Sequence, residues 1–154
     1  AQIGSDVPLF MGGPASRMRG RGERIEPVAV HPFSALLCTP PLACPTASVY
    51  RAFDGMGRER ATGENFAAEL LAERPRAWSG RLFNDLAQAA VDVEPRLGRW
   101  RSALAEAAGE PVHVTGSGSG LFIICEDADH AASIAERLPG DAADRCRAVS
   151  LNPW

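Results

Sequence analysis

One carboxylate near the start of the chain has a setting suited to proton transfer. Asp6 lies between the small pair Gly4-Ser5 and the Val7-Pro8 step. Gly4 permits a tight turn and Pro8 disfavours a helical backbone at Val7, so we expect Asp6 in a loop that ends at a strand. A carboxylate held in this way can accept the proton of a substrate hydroxyl. The alternative is a turn or capping aspartate, the commoner role of Asp beside Gly and Ser.

A glycine-serine segment is the second candidate. Gly116, Ser117, Gly118 and Ser119 lie, together with Gly120, between two apolar runs. Small residues let a ligand approach the backbone, and successive N–H groups can bind an anion. A plain hairpin connection explains the same composition equally well.

The third candidate follows a proline turn. Pro45 and Thr46 predict the start of a helix with Thr46 as its N-cap. Tyr50, the only tyrosine, follows one helical turn later. A single tyrosine is more often part of a core, but beside this turn it could provide a stacking surface for a base. Asn84 and Asp85 begin another predicted helix, where we favour a capping role.

Hydrophobic periodicity predicts the elements that must position these residues. Residues 7–30 contain short apolar runs separated by glycine turns, which predicts strands at residues 9–11, 15–19 and 25–30. Residues 54–63 predict a loop. From Phe33 onward the order is strand, helices, strand, strand, helix, strand. This order is typical of an α+β, ferredoxin-like domain with an antiparallel sheet. The predicted elements are residues 33–39, 46–50, 64–74, 82–93, 95–108, 112–115, 121–125, 131–138 and 147–151.

Composition excludes several classes of protein. The 154 residues suffice for about one domain, and the net charge of −3 argues against a general nucleic-acid binder. No apolar run is long enough to span a membrane. Cys38 and Cys125 lie in apolar runs and are predicted to be buried thiols rather than part of a disulfide framework, which favours the cytoplasm. No histidine has a partner at metal-ligand spacing.

Taken in order, several segments resemble the 4-diphosphocytidyl-2-C-methyl-D-erythritol kinases of the GHMP kinase superfamily. The resemblance covers the whole chain, with variable loops around residues 54–81. It implies that residues 1–30 end a ribosomal S5-like N-terminal domain and that residues 31–154 form the C-terminal domain. The segments that carry the resemblance are residues 4–10, 12–27, 45–50, 83–86 and 116–122.

The resemblance also implies the reaction and the residues that perform it. ATP, with Mg²⁺, would phosphorylate the 2-hydroxyl of the methylerythritol unit in the non-mevalonate route to isoprenoid precursors. Asp6 would take the hydroxyl proton. Tyr50 would stack on the cytosine, and Thr46 would line the same pocket. Residues expected to face the phosphate and polyol end are Gly116, Ser117, Gly118 and Ser119.

The chain departs from this family in one large respect. It has no lysine and no glycine-rich ATP loop, both of which belong to the N-terminal half of these kinases. We therefore expect further sequence before Ala1 and no turnover by these 154 residues alone. Alternatives are a non-catalytic ferredoxin-like binding module and a GHMP kinase with another substrate. We expect a small-molecule ligand and neither a nucleic acid nor a membrane as partner.

Overall fold

The computed structural model describes residues 15–20, 22–57 and 64–151. Its first two strands, β1 (Ser16–Arg19) and β2 (Arg24–Pro27), pair antiparallel as a hairpin. The turn between them uses Gly20 and Gly22 at φ values of 69° and 100°, which glycine adopts readily. The strand predicted at residues 15–19 is thereby confirmed. The strand predicted at residues 25–30 is present but ends at Pro27, and the strand predicted at residues 9–11 lies outside the described ranges.

The main sheet has the topology that the sequence predicts. Its strands are β3 (Phe33–Cys38), β4 (His113–Val114), β5 (Leu121–Cys125) and β6 (Cys146–Leu151). They lie in the order β4-β5-β3-β6, and each neighbouring pair is antiparallel. This is the ferredoxin-like arrangement, with helices inserted between β3 and β4 and between β5 and β6. The α+β prediction is confirmed.

Each of the five predicted helices has a counterpart in the structure, with shifted limits, and the two four-residue helices at Pro75–Trp78 and Gly140–Ala143 were not predicted. The helices are α1 (Thr46–Gly55), α2 (Glu64–Ala72), α3 (Pro75–Trp78), α4 (Ala87–Val93), α5 (Pro95–Ala108), α6 (Ala128–Arg137) and α7 (Gly140–Ala143), with a 3₁₀ turn at Ser79–Arg81. The helix predicted over residues 82–93 begins only at Ala87, and α1 continues into the predicted loop as far as Gly55. Within the described ranges, no helix is both long and apolar enough to cross a bilayer.

The core lies between the helices and one face of the sheet. Alternate residues of β3 and β5 point into it, as the two-residue period of a strand requires. The sequence spacing predicts that Leu97, Trp100, Leu104 and Ala108 form one apolar face of α5. This prediction is confirmed, since Leu97, Leu104 and Ala108 are buried and Trp100 packs at the margin of the core. The large side chains at the centre of the core are Leu36, Leu97, Leu104, Leu121, Ile123 and Ile134.

The sequence predicts a start for α5 at Pro95 and an end at Gly109, and the structure has both. Pro95 occupies the first turn, and the Glu94 carboxylate before it accepts a hydrogen bond from the Arg96 N–H at 3.1 Å. The pKa of Glu94 is lowered to about 2, mainly because its carboxylate accepts hydrogen bonds from the Arg96 side chain. Gly109 ends the helix in the left-handed conformation, at φ 69°.

The cysteines require one correction. Cys38 forms a disulfide with Cys146, so the prediction that Cys38 is a free thiol was wrong. These residues are opposite each other in the β3–β6 register, with Cα atoms 4.1 Å apart, a proximity that sequence spacing does not reveal. Cys125 is a buried free thiol, as predicted, and burial raises its pKa to about 11. Cys44 is free and half-buried.

Candidate active site

The glycine loop, residues 116–120, connects β4 to β5. Its ends are joined by a hydrogen bond from the Thr115 N–H to the Gly120 carbonyl at 3.0 Å. Gly116 and Gly118 have φ values of 55° and 84°, which strongly favour glycine. A Cβ on Gly118 would lie only 3.2 Å from the Cys44 sulfur, so one side of the loop is closely packed. The loop is both a strand connection and a segment that needs small residues.

Thr46 contacts this loop through its side chain. Its hydroxyl and that of Ser117 share a hydrogen bond at 3.0 Å. The prediction of Thr46 as the N-cap was wrong, because α1 begins at Thr46 itself and Pro45 occupies the cap position without a side-chain bond. The Pro45 carbonyl accepts from the Ser48 and Val49 N–H groups, and the Thr46 hydroxyl is left to bridge to the loop.

Tyr50 lies one helical turn beyond Thr46 and is not a core residue. Residues four apart share a helix face, and both of these side chains are exposed. The exposed fraction of Tyr50 is 51%, whereas Val49 and Phe53 of the same helix are buried in the core. The two sequence-predicted residues of α1 thus form one exposed face, which adjoins the glycine loop at Ser117.

Asn84 holds the loop from another side. Its carboxamide nitrogen donates to the Val114 carbonyl at 2.9 Å and to the Gly116 carbonyl at 2.8 Å. Its oxygen accepts from the Leu86 N–H at 3.0 Å, which forms a local turn before α4 instead of an N-cap. The Asn-Asp pair marked this position in the sequence, but nothing in the sequence indicated the bond to the loop.

Ser119 provides a third support for the loop. Its hydroxyl donates to the Leu42 carbonyl at 2.8 Å, in the segment that connects β3 to α1. Together with the bonds of Thr46 and Asn84, this bond attaches the loop to the segments on either side of it. The predicted residues Thr46, Ser117, Gly118 and Ser119 are therefore brought together, with Gly116 at the exposed edge.

Asp6, the predicted proton acceptor, lies outside the described residues. Among the residues that are described, no group of three His, Cys, Asp or Glu side chains could hold a metal ion. The His130 Nε2 lies 3.7 Å from a carboxylate oxygen of Glu110, and neither residue belongs to the glycine loop. His113 is half-buried in β4, and burial, followed by the charge of Arg101, lowers its pKa.

Comparison with known proteins assigns the chain to a family. A family model described as GHMP kinases C terminal matches residues 67–144, which is half of the chain. The chain belongs to the GHMP kinase family. The matched range includes Asn84 and the glycine loop and begins after α1.

Two curated relatives of this chain have the same protein name. The protein from Thermus thermophilus is 34% identical over 138 residues, covering 88% of this chain and 48% of that protein. The protein from Nocardioides sp. is 36% identical over 152 residues, covering 91% and 49%. Both are named 4-diphosphocytidyl-2-C-methyl-D-erythritol kinase. The chain spans about half the length of the curated relatives it matches.

Solved structures of GHMP kinases have the same fold. A crystal structure of 4-(cytidine 5'-diphospho)-2C-methyl-D-erythritol kinase superposes with a TM-score of 0.75 at 33% identity, covering 97% of this chain and 53% of that chain. Mevalonate kinase from L. major, in complex with R-mevalonate, gives a TM-score of 0.62 at 14% identity, covering 90% and 48%. The second likeness concerns the fold alone.

Proposed function

We propose that the full-length protein containing this chain transfers the γ-phosphoryl group of ATP to the 2-hydroxyl of 4-diphosphocytidyl-2-C-methyl-D-erythritol. The step belongs to the non-mevalonate route to isoprenoid precursors. The Cys38–Cys146 disulfide removes the argument from free thiols for the cytoplasm, so no compartment is assigned. One observation carries the proposal: the hydroxyl bridge from Thr46 to Ser117 joins an exposed helix face bearing Tyr50 to a glycine loop. The relatives named for this reaction support the choice of substrate.

Tyr50 would bind the cytosine. Its ring is half-exposed on α1, and an exposed aromatic face can stack on a base with a free energy of about 1–3 kcal/mol. Thr46, on the same helix face, would line the wall of this pocket. The diphosphate would then extend from Tyr50 towards the glycine loop.

The glycine loop would receive the phosphate and polyol end of the substrate. Gly116 is exposed and has no side chain, so a ligand can approach the backbone there. The N-terminus of the ten-residue helix α1 lies beside it, with no side chain capping its first N–H groups within the described structure. A helix N-terminus and loop N–H groups both favour an anion.

Asp6 would act as the base in the transfer. The 2-hydroxyl oxygen forms a bond to the γ-phosphorus of ATP, the bond to the ADP oxygen breaks, and the hydroxyl proton passes to the Asp6 carboxylate. The glycine-rich ATP loop and the lysine would belong to the remainder of the full-length protein, because the relatives are about twice as long as this chain. Residues 1–154 alone would then be inactive.

The proposed domain division has one support in the hairpin. Strands β1 and β2 pair only with each other among the described strands and do not join the main sheet. We assign residues 1–30 to the end of the N-terminal domain and residues 31–154 to the C-terminal domain. We propose Mg²⁺ as the companion of ATP, because the charges of the ATP phosphates must be neutralised during the transfer.

Steady-state kinetics of the full-length protein test this function. Tyr50→Ala should raise KM for the cytidine substrate about tenfold or more, which corresponds to the lower part of the stacking range, while Tyr50→Phe retains most of the affinity. Phe83→Ala is the matched control, because Phe83 is also 51% exposed but does not belong to α1. Asp6→Asn should abolish most of kcat. Normal turnover by Asp6→Asn, or normal KM for Tyr50→Ala, would contradict the assigned roles.

The alternatives are distinguished by the same assay. A wild-type protein that binds the cytidine substrate but forms no ADP would be a binding module. One that phosphorylates only another alcohol would be a GHMP kinase with a different substrate. Each result would replace the proposed function.

A further inference from the structure

We propose that Asn84 is a positioning residue that sets the orientation of the glycine loop for phosphoryl transfer. The role concerns the geometry of the loop and needs no contact between Asn84 and the substrate. Its effect on catalysis rests on the proposed function, whereas its effect on the loop does not.

The Asn84 carboxamide uses both its hydrogen-bond donors and its acceptor, which few side chains could do in this position. It has two N–H donors, and these bind two carbonyls of different residues, Val114 at the end of β4 and Gly116 in the loop. Its oxygen accepts from the Leu86 N–H, which fixes the side chain to the turn before α4. The three bonds connect the turn before α4 to the glycine loop through one half-buried residue.

The bond to Gly116 determines where the next N–H points. The Gly116–Ser117 peptide is trans, so its carbonyl and its N–H point in opposite directions. Because Asn84 binds the Gly116 oxygen, the Ser117 N–H is directed to the opposite side of the loop. Across the described structure, that N–H has no backbone acceptor. It is therefore available to a phosphate oxygen, provided that Asn84 holds the peptide in this orientation.

Gly116 makes the loop dependent on this contact. Its φ is 55°, and a Cβ built on it would meet no atom within 4 Å. The Gly118 N–H donates to the Thr115 carbonyl at 3.0 Å and closes a turn around this peptide, but no neighbouring group packs at the Cβ position of Gly116, and glycine allows several backbone orientations. The Thr46 hydroxyl holds the Ser117 side chain but not the Gly116 carbonyl. Asn84 is the side chain that fixes that carbonyl among the described contacts.

Asn84→Asp is the most specific change. It keeps the size of the side chain and an oxygen that can accept from the Leu86 N–H, but an ionised carboxylate has no donor. Two carbonyl oxygens would then face a negative charge, so the loop should move away while the helix start is retained. Gln88→Glu is the matched control, since it makes the same amide-to-carboxylate change on the exposed face of α4.

Two measurements on the full-length protein test the proposal. Amide hydrogen exchange should increase in residues 115–120 of Asn84→Asp and stay at the wild-type level in Gln88→Glu. In the kinase assay, kcat of Asn84→Asp should fall about a hundredfold, as expected for a misplaced reacting group, while the affinity for cytidine at Tyr50 remains unchanged. Unchanged exchange in the loop would overturn the proposal, as would an unchanged kcat in an active enzyme.

A second variant tests the same contact from the loop. Gly116→Ala disfavours the left-handed backbone and should release the carbonyl from Asn84 without changing Asn84 itself. The double variant with both Asn84→Asp and Gly116→Ala should have a kcat only slightly below that of Asn84→Asp alone, because both changes remove the same contact. Additive losses of kcat would overturn the proposal. Should Asn84→Asp not fold, loop exchange in Gly116→Ala decides the question. A wild-type protein without kinase activity contradicts the proposed function, while the exchange data still decide what holds the loop.

Discussion

The Thr46 hydroxyl lies at the first residue of α1 but does not cap it. A threonine after a turn ordinarily satisfies the N–H groups of its own helix. Here Pro45 takes the cap position, and the hydroxyl bridges to Ser117 at a sequence separation of 71 residues. The proline-threonine turn, a local pattern, identified Thr46 in the sequence. Its partner Ser117 is distant in sequence, so no local pattern could predict the bond between them.

Removing this hydroxyl tests the bridge. Thr46→Val keeps the branched shape but loses the bond, so we expect KM for the cytidine substrate to rise several-fold and the free energy of unfolding to fall by about 0.5–1.5 kcal/mol at most. Thr46→Ser should retain near-normal values. Thr39→Val is the control, because it removes another exposed hydroxyl, which donates to the Arg145 carbonyl and, among the described contacts, not to the glycine loop. Equal effects of the two valine variants on KM would contradict the bridge.

Glu94 predicts a pH dependence of stability. Its pKa in the folded protein is about 2, below its ordinary value of 4.5, so the carboxylate favours the folded state. This contribution is complete above about pH 4.5 and is lost as the pH falls through 2. Urea unfolding should therefore show Glu94→Gln less stable than wild type at about pH 7, with the difference shrinking between pH 4.5 and 2. A difference that grows towards low pH would contradict this assignment. High salt should reduce the difference, because the Arg96 side chain that pairs with the half-buried Glu94 is exposed.

At the scale of elements, periodicity predicted most of the fold. The buried strands at residues 33–38 and 121–125 and the apolar stripe of α5 follow directly from spacing. The start of α4 was missed because Asn84 turns its side chain towards the loop and the chain stays irregular until Ala87. Such a contact depends on tertiary neighbours that a single sequence does not show.

From the residues alone, the glycine loop had two equally supported interpretations: a segment that binds an anion and a plain hairpin connection. Its position between β4 and β5 makes it a strand connection, and the sheet order brings it beside α1. Residues 46–50 and 116–119 are far apart in sequence, so only the topology unites them. The family resemblance, rather than spacing, gave the expectation that they share a site.

The packing of α5 gives a stability prediction. Leu104 is 1% exposed in the core, so Leu104→Ala should lower the free energy of unfolding by about 2–5 kcal/mol. Leu82→Ala should cost less than half as much, because Leu82 is half-buried at the margin of an open cavity of about 440 Å³. Chemical denaturation measures both variants. Equal losses would show that the core is not centred on α5.

The pairing of Cys38 with Cys146 predicts a thiol count. Titration with a thiol reagent after denaturation without reductant should detect two thiols from this chain, those of Cys44 and Cys125, and four after reduction. The bond closes a loop with a sequence separation of 108 residues, so reduction should lower the melting temperature. Four thiols before reduction would contradict the pairing.

At the scale of the whole molecule, the chain provides about half of a GHMP kinase. It covers 48% of the Thermus relative and 49% of the Nocardioides relative, and it contributes a C-terminal domain whose glycine loop meets α1. The two segments that we assign to substrate meet at Ser117. In our proposal, the Asp6 carboxylate and the ATP-binding part complete the site, and activity would be a property of the full-length protein.

The most direct test of the central claim is to identify the product. The full-length protein would be incubated with ATP and 4-diphosphocytidyl-2-C-methyl-D-erythritol, and the products analysed by mass spectrometry and ³¹P NMR, with mevalonate and homoserine as competing alcohols. Our account predicts ADP together with a new phosphomonoester on the 2-hydroxyl of the cytidine compound, and no phosphorylation of the competitors. A protein that consumes no ATP with this substrate, or that phosphorylates a competitor instead, would contradict it.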